Sequence, residues 1–196
     1  MKPVFIIVLS FFTTIGLAQN IVEWSKAYTI QFSDFQSNST KIGNVNLYSL
    51  HSGVSMDFAY NMSGAEFMFK KNFNSAARCI FNKRAASLIA PDSATANSLV
   101  NFAQFEFDLT ELYTRKFRKK LFEEKGTFSN SDFFQPIFNQ IQAELNERNS
   151  NAGNVTDIGK NKKELEKLHK EVLFQIDELA DYCYSCKPPK KKKKKN

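Results

Sequence analysis

Leu99-Val100-Asn101-Phe102-Ala103-Gln104-Phe105-Glu106-Phe107-Asp108-Leu109-Thr110-Glu111-Leu112-Tyr113-Thr114-Arg115-Lys116-Phe117-Arg118-Lys119-Lys120-Leu121 is the most strongly patterned stretch of the chain. Phe102, Glu106, Leu109, Tyr113, Phe117 and Leu121 recur at steps of three or four, the spacing that gathers side chains on one side of an α-helix. Gly126 follows as a stop, so a long helix is predicted from Ser98 onward. A second helix is predicted from Pro136, a residue tolerated in the first turn, with Ile137, Phe138, Ile141 and Leu145 on one face. After a loop at Asn149-Ser150-Asn151-Ala152-Gly153-Asn154, a last helix over 160–181 carries Leu165, Leu168, Val172, Ile176 and Leu179 as its stripe.

Upstream the period is two. Tyr28, Ile30 and Phe32 alternate with Thr29, Gln31 and Ser33, and Val54, Met56, Phe58 and Tyr60 alternate with Ser55, Asp57 and Ala59, which predicts two half-buried strands. The turn formers Asn61-Met62-Ser63-Gly64 precede Phe67-Met68-Phe69, so a hairpin into a third strand is expected. Residues 84–97, with Pro91, Asp92 and Ser93, read as an irregular connection. The fold class is therefore α+β: a small N-terminal antiparallel sheet packed on the long helix, followed by two further helices. Twenty Phe spread along the chain make an aromatic core, with Phe102 expected on the face that the strands cover.

The ends have a different character. Lys2, the apolar run from Val4 to Phe12 and the small residues Gly16 and Ala18 have the form of a cleavable export signal over 1–18. That run is short of the roughly 20 residues needed to cross a bilayer. The mature chain is expected from Gln19 as a periplasmic or secreted protein without a transmembrane segment. A single domain would occupy 19–182, followed at 183–196 by a C-x-x-C and a disordered polylysine tail. The formal charge of +7 becomes −1 when Lys2 and the tail lysines are set aside, so a basic nucleic-acid groove is excluded for the domain. The tail itself, Lys187 with Lys190, Lys191, Lys192, Lys193, Lys194 and Lys195, suits contact with anionic envelope lipid or polysaccharide. Export favours a disulfide between Cys183 and Cys186, leaving Cys79 odd and buried.

The helix at 99–121 also resembles the signature helix of a bacterial exported zinc-dependent protease family, domain of unknown function 922. There a His-Glu-x-x-His core is followed by Phe-Asp-Ile, a Glu and an Arg-rich end. Here the flank matches at Gln104, Phe107, Asp108, Leu109, Glu111, Tyr113, Arg115 and Arg118. Ile21-Val22-Glu23-Trp24-Ser25, Phe32-Ser33-Asp34-Phe35-Gln36 and Ser52-Gly53-Val54-Ser55 are similar to its N-terminal elements, so the resemblance spans about 21–122. It implies a minimal zincin-like metalloprotease domain, in which two imidazoles four residues apart hold zinc and the Glu takes a proton from bound water.

At those positions this chain has Phe102, Ala103 and Glu106, which removes two ligands and the base. The remaining histidines, His51 and His169, lie far from the helix in sequence and are expected at the surface or in hydrogen bonds rather than on a metal. Asp108 and Glu111 are expected to pair with Arg115 or Lys116. No phosphate loop, nucleophile elbow or Cys/His pair points to another enzyme. The sequence thus favours a non-catalytic, exported relative, with no cofactor, acting by binding or as an envelope structural component. Two alternatives remain: a metal-dependent hydrolase whose ligands come from other segments, and an anionic-surface anchor working through the tail.

Overall fold

A computed structural model describes residues 20–189; the expected export signal and the lysines from Lys190 on lie outside the described residues. The chain runs β1 (Ile21–Glu23), β2 (Lys41–Ile42), β3 (Ser49–His51), β4 (Val54–Phe58), α1 (Gly64–Phe69), β5 (Ala77–Asn82), β6 (Ser87–Ala90), α2 (Ser93–Glu124), α3 (Phe134–Thr156) and α4 (Lys162–Glu178). It is α+β, as the patterning predicts, and the three long helices are present. No described helix is long and apolar enough to cross a membrane.

The strands form two small three-stranded sheets rather than one. In the first, β5 lies between β1 and β4 and all pairs are antiparallel, with Met56 opposite Cys79 and Val22 opposite Phe81. In the second, β6 is flanked by β2, parallel to it, and by the antiparallel β3, so this sheet is mixed. The chain passes from β3 in one sheet to β4 in the other through Gly53. There φ is +68° and a Cβ would come within 2.6 Å of the Asn82 carbonyl oxygen, so only glycine fits.

Four local expectations are overturned. Residues 28–33 are not a strand: the Asp34 carboxylate accepts the Gln31 N–H and the Tyr28 hydroxyl, closing a 3-10 turn at Phe32–Asp34. The Ile30 N–H goes to the Gln104 side chain at 2.8 Å instead of to a neighbouring strand. Residues 64–69 are helical because Ser63 and Glu66 form a reciprocal capping box, each side chain satisfying the other's backbone N–H. Phe69 is then left 78% exposed, not in a hairpin.

Residues 84–97 are likewise not irregular throughout. They contain β6 and the first turn of α2, which begins at Ser93 because Asp92 accepts the Thr95 N–H at 2.7 Å. The expected loop at 149–154 is the end of α3, whose buried face continues through Leu145, Ala152 and Thr156. It stops where Asp157 and Ile158 turn left-handed, followed by Gly159 at φ +90°.

The long helix α2 is the spine. Toward the sheets it presents Phe107 and Phe117, which pack edge-on or tilted against Phe81 and Phe58. Toward α3 and α4 it presents Phe102, Phe105, Leu109 and Leu112, sharing a core with Ile137, Ile141, Leu165, Val172 and Ile176. Phe102 belongs to this core, which also takes in Met56 of β4. The end of α3 and the following turn close over it, Gly153 and Gly159 standing so near that a Cβ on either would be 3.7 Å and 3.0 Å from its side chain.

After α4 a short 3-10 turn, Ala180–Tyr182, leads into the C-x-x-C, where Cys183 and Cys186 are joined in a disulfide. The Cys186 carbonyl accepts from Asn74 at 3.0 Å and from Asn72 at 3.3 Å. The C-x-x-C is thus tied into the domain rather than standing outside it, and the folded unit reaches Cys186. Cys79, the odd cysteine, is buried and free.

Candidate functional site

Successive residues of an α-helix point about 100° apart, so the motif positions of α2 look into three different surroundings. The first contains the residues in register with the resembled metal core. Phe102 is 3% exposed and Ala103 is fully buried; Phe102 lies in the helical core, whereas Ala103 lies in a second core with Phe81, Leu88 and Leu99. Glu106 alone meets solvent, at a cleft of about 190 Å³ whose polar walls are Ser52, Ser55, Thr110, Gln142, Asn146 and Asn149. The Asn149 amide donates to Glu106 Oε1 at 2.6 Å. The zinc implied by the resemblance does not fit here, since a phenyl ring and a methyl group replace one ligand and the base, and one carboxylate remains.

Burial raises the Glu106 carboxyl above its ordinary value of 4.5, more strongly than the hydrogen bonds from Asn149 and Ser52 and the charge of His51 lower it. The neutral acid is therefore the form the fold favours. Its contribution is fully present below the unfolded-state pKa and is lost as pH rises through the folded value. Glu106→Gln retains an acceptor for Asn149 and is expected to raise the melting temperature near pH 7 while giving no gain near about pH 4. Thermal unfolding at the two pH values checks this, and a variant less stable at neutral pH would overturn it.

The second surrounding is that of Asp108. Its Oδ1 accepts the Trp24 indole N–H at 2.7 Å, and its Oδ2 faces Gln104 Nε2 at 3.0 Å and His169 Nε2 at 2.7 Å. Asp108 pairs with neither Arg115 nor Lys116, because it points to the side of α2 occupied by Trp24 and α4. Lys116 instead lies over the Tyr113 ring at 4.1 Å. His169 is hydrogen-bonded, as expected of a lone histidine, but its link to the motif helix was not foreseen. The signal was present: His169 falls on the buried stripe of α4, four residues after Leu165 and three before Val172, where a polar residue needs a buried partner.

The third surrounding is a buried ion cluster. Glu111 Oε1 accepts from Arg115 Nε at 2.8 Å, the expected i,i+4 pair, and also from Arg118 Nη1 at 3.0 Å. Arg115 Nη1 donates to the Ile176 carbonyl near the end of α4, and its guanidinium stacks 5.2 Å from the Trp24 ring. Arg118 holds the Ala77 carbonyl with two nitrogens, at 3.1 and 2.7 Å, and the Tyr182 carbonyl at 3.0 Å. These two arginines tie the spine to β5, to α4 and to the C-terminal turn.

A cavity of about 330 Å³ opens beside this cluster, with Trp24, Cys79, Arg78 and residues 183–185 in its wall. Burial pushes the Cys79 thiol well above its usual range, which makes it a poor nucleophile. Among the described residues no three His, Cys, Asp or Glu side chains are grouped to hold a metal ion.

No family model, curated protein or solved structure matches the chain. Phe102, Ala103 and Glu106, adjacent on the helix, are divided between two apolar cores and a small polar cleft. Asp108, Glu111 and Arg115, also on α2, instead join long-range polar networks with Trp24, His169 and Arg118.

Proposed function

We propose that this chain is an exported, non-catalytic relative of the zinc-protease family it resembles, built on a zincin-like scaffold and acting by binding. The observation that supports the reading is the burial of Phe102 and Ala103, at 3% and 0% exposure, in register with a metal ligand and a general base. A ring and a methyl group there contribute apolar packing, where a metal and its water would need polar walls. The flank of the motif holds the fold together, since Arg115 and Arg118 are spent on backbone carbonyls and on Glu111.

The test is metal content combined with restoration of the motif. The mature protein, purified and dialysed, is expected to hold far less than one zinc per chain by elemental analysis. The triple variant Phe102→His, Ala103→Glu, Glu106→His is expected to be less stable than the parent, because it places polar groups in packed apolar sites. Stoichiometric zinc in the parent would overturn the reading. So would a triple variant as stable as the parent that binds zinc and cleaves peptides.

A further inference from the structure

We propose that the cavity beside the buried arginines is a binding site for an organic monocarboxylate. The inference goes beyond the non-catalytic reading and is separable from it, because the cavity lies at the Arg115 end of α2 and not at the degenerate metal positions. Its volume, about 330 Å³, is that of roughly ten liquid waters and lies at the lower end of the range for small-molecule sites.

Two guanidiniums, Arg115 and Arg118, share the single carboxylate Glu111, and all three residues are nearly buried, at 6%, 1% and 3% exposure. The trio carries one positive charge in excess, in surroundings where an unbalanced charge is costly. Of the other carboxylates near Trp24, Glu23 is in the wall but paired with Arg78 at 3.3 Å, and Asp108 is outside it, its oxygens occupied by Trp24, Gln104 and His169. Every nitrogen of Arg118 is engaged, by Ala77, Glu111 and Tyr182. In Arg115 only Nε and Nη1 are engaged, and Nη2 makes no hydrogen bond among the described residues.

An anion entering the cavity would thus find the unengaged Nη2 of Arg115, with the Ser185 hydroxyl and Arg78, which Glu23 and Asp57 already hold, also in the wall. Glu23 and Glu111, also in the wall, disfavour a doubly charged anion, so a single negative charge is the best match. Trp24, Tyr184 and the Cys183 sulfur give the remaining wall an apolar character that an organic group fills better than an inorganic ion does. Two sources carry this chemistry: a free small acid and the C-terminal carboxylate of a peptide.

The experiment titrates the full mature chain by calorimetry at moderate salt with benzoate, with an N-acetylated tripeptide ending in a free carboxylate, with the same tripeptide amidated, and with sulfate. Saturable one-site binding of benzoate or of the free-acid tripeptide is expected. Benzoate identifies the free acid as the source, and the free-acid tripeptide alone identifies a peptide terminus. Ser185 is exposed, so Ser185→Trp can fill the cavity from its rim without disturbing the core; it is expected to weaken binding at least about tenfold. Glu23→Gln, which removes an exposed carboxylate from the wall, is expected to tighten it. The lysine tail is the same in every variant, so binding to the tail would be unchanged by either substitution. No binding of either carboxylate, equal binding of the amidated peptide or sulfate, or an affinity that Ser185→Trp leaves unaltered would overturn the proposal.

Discussion

Glu111→Ala is expected to destabilise the domain by about 3–5 kcal/mol, the usual cost of removing one partner from a buried ion cluster. Among the described residues the carboxylate is the only one paired with Arg115 and Arg118, at 2.8 and 3.0 Å. Without it two guanidiniums lie side by side with carbonyl acceptors alone, and their mutual repulsion is no longer offset. For a domain of this size the loss corresponds to a fall in melting temperature of roughly 10 °C. Trp24, the single tryptophan of the chain, stacks on Arg115 and donates to Asp108, so its fluorescence reports the cluster directly. Urea unfolding followed by fluorescence and by far-ultraviolet circular dichroism should give one coincident, shifted transition. A loss below about 1 kcal/mol would show that the backbone carbonyls of Ala77, Ile176 and Tyr182 suffice to hold the two cations.

This cluster also marks the limit of what the sequence discloses. The pair Glu111–Arg115 is legible because four residues on a helix bring two side chains together whatever the rest of the chain does. The bonds from Arg118 to Ala77 and from Arg115 to Ile176 span 41 and 61 residues, and nothing local to either end foretells them. The same holds for Asp108 and His169, which are also 61 residues apart. The polar character of the motif flank could be read from the sequence, whereas its partners are set by how α4 and β5 pack on α2.

The helices were legible because their apolar period persists over many turns, and tertiary packing reinforces it. Strands of two to six residues offer too few repeats. β5, the centre of its sheet, alternates buried Ala77, Cys79 and Phe81 with Arg78, Ile80 and Asn82, a pattern too short and too mixed in size to stand out. At 28–33 the alternation is real but the hydrogen bonds go to Asp34 and Gln104, which satisfies the backbone without a neighbouring strand. At 63–66 the Ser-x-x-Glu box, a recognised helix start, prevails over the aromatic run that follows it.

Phe102→Ala is the second large effect expected, about 3–5 kcal/mol, because a nearly buried ring is removed from a site that cannot readily collapse. The ring lies 5.7 Å from that of Phe105 in the helical core. Above it the backbone is committed: Gly159 sits at φ +90°, and a Cβ there would clash with the Ser98 carbonyl oxygen, so this turn already touches α2 and has little room to move inward. The void left by alanine would therefore persist, and the dispersion contacts of its lining would be lost. Phe102→Leu, which keeps most of the volume, should cost less than about 1.5 kcal/mol. Denaturant titration of the two variants separates packing from polarity, since neither introduces a polar group. If both are as stable as the parent, the ring is not needed to fill the space under Gly153 and Gly159, and the case for core in place of a metal site at this position fails.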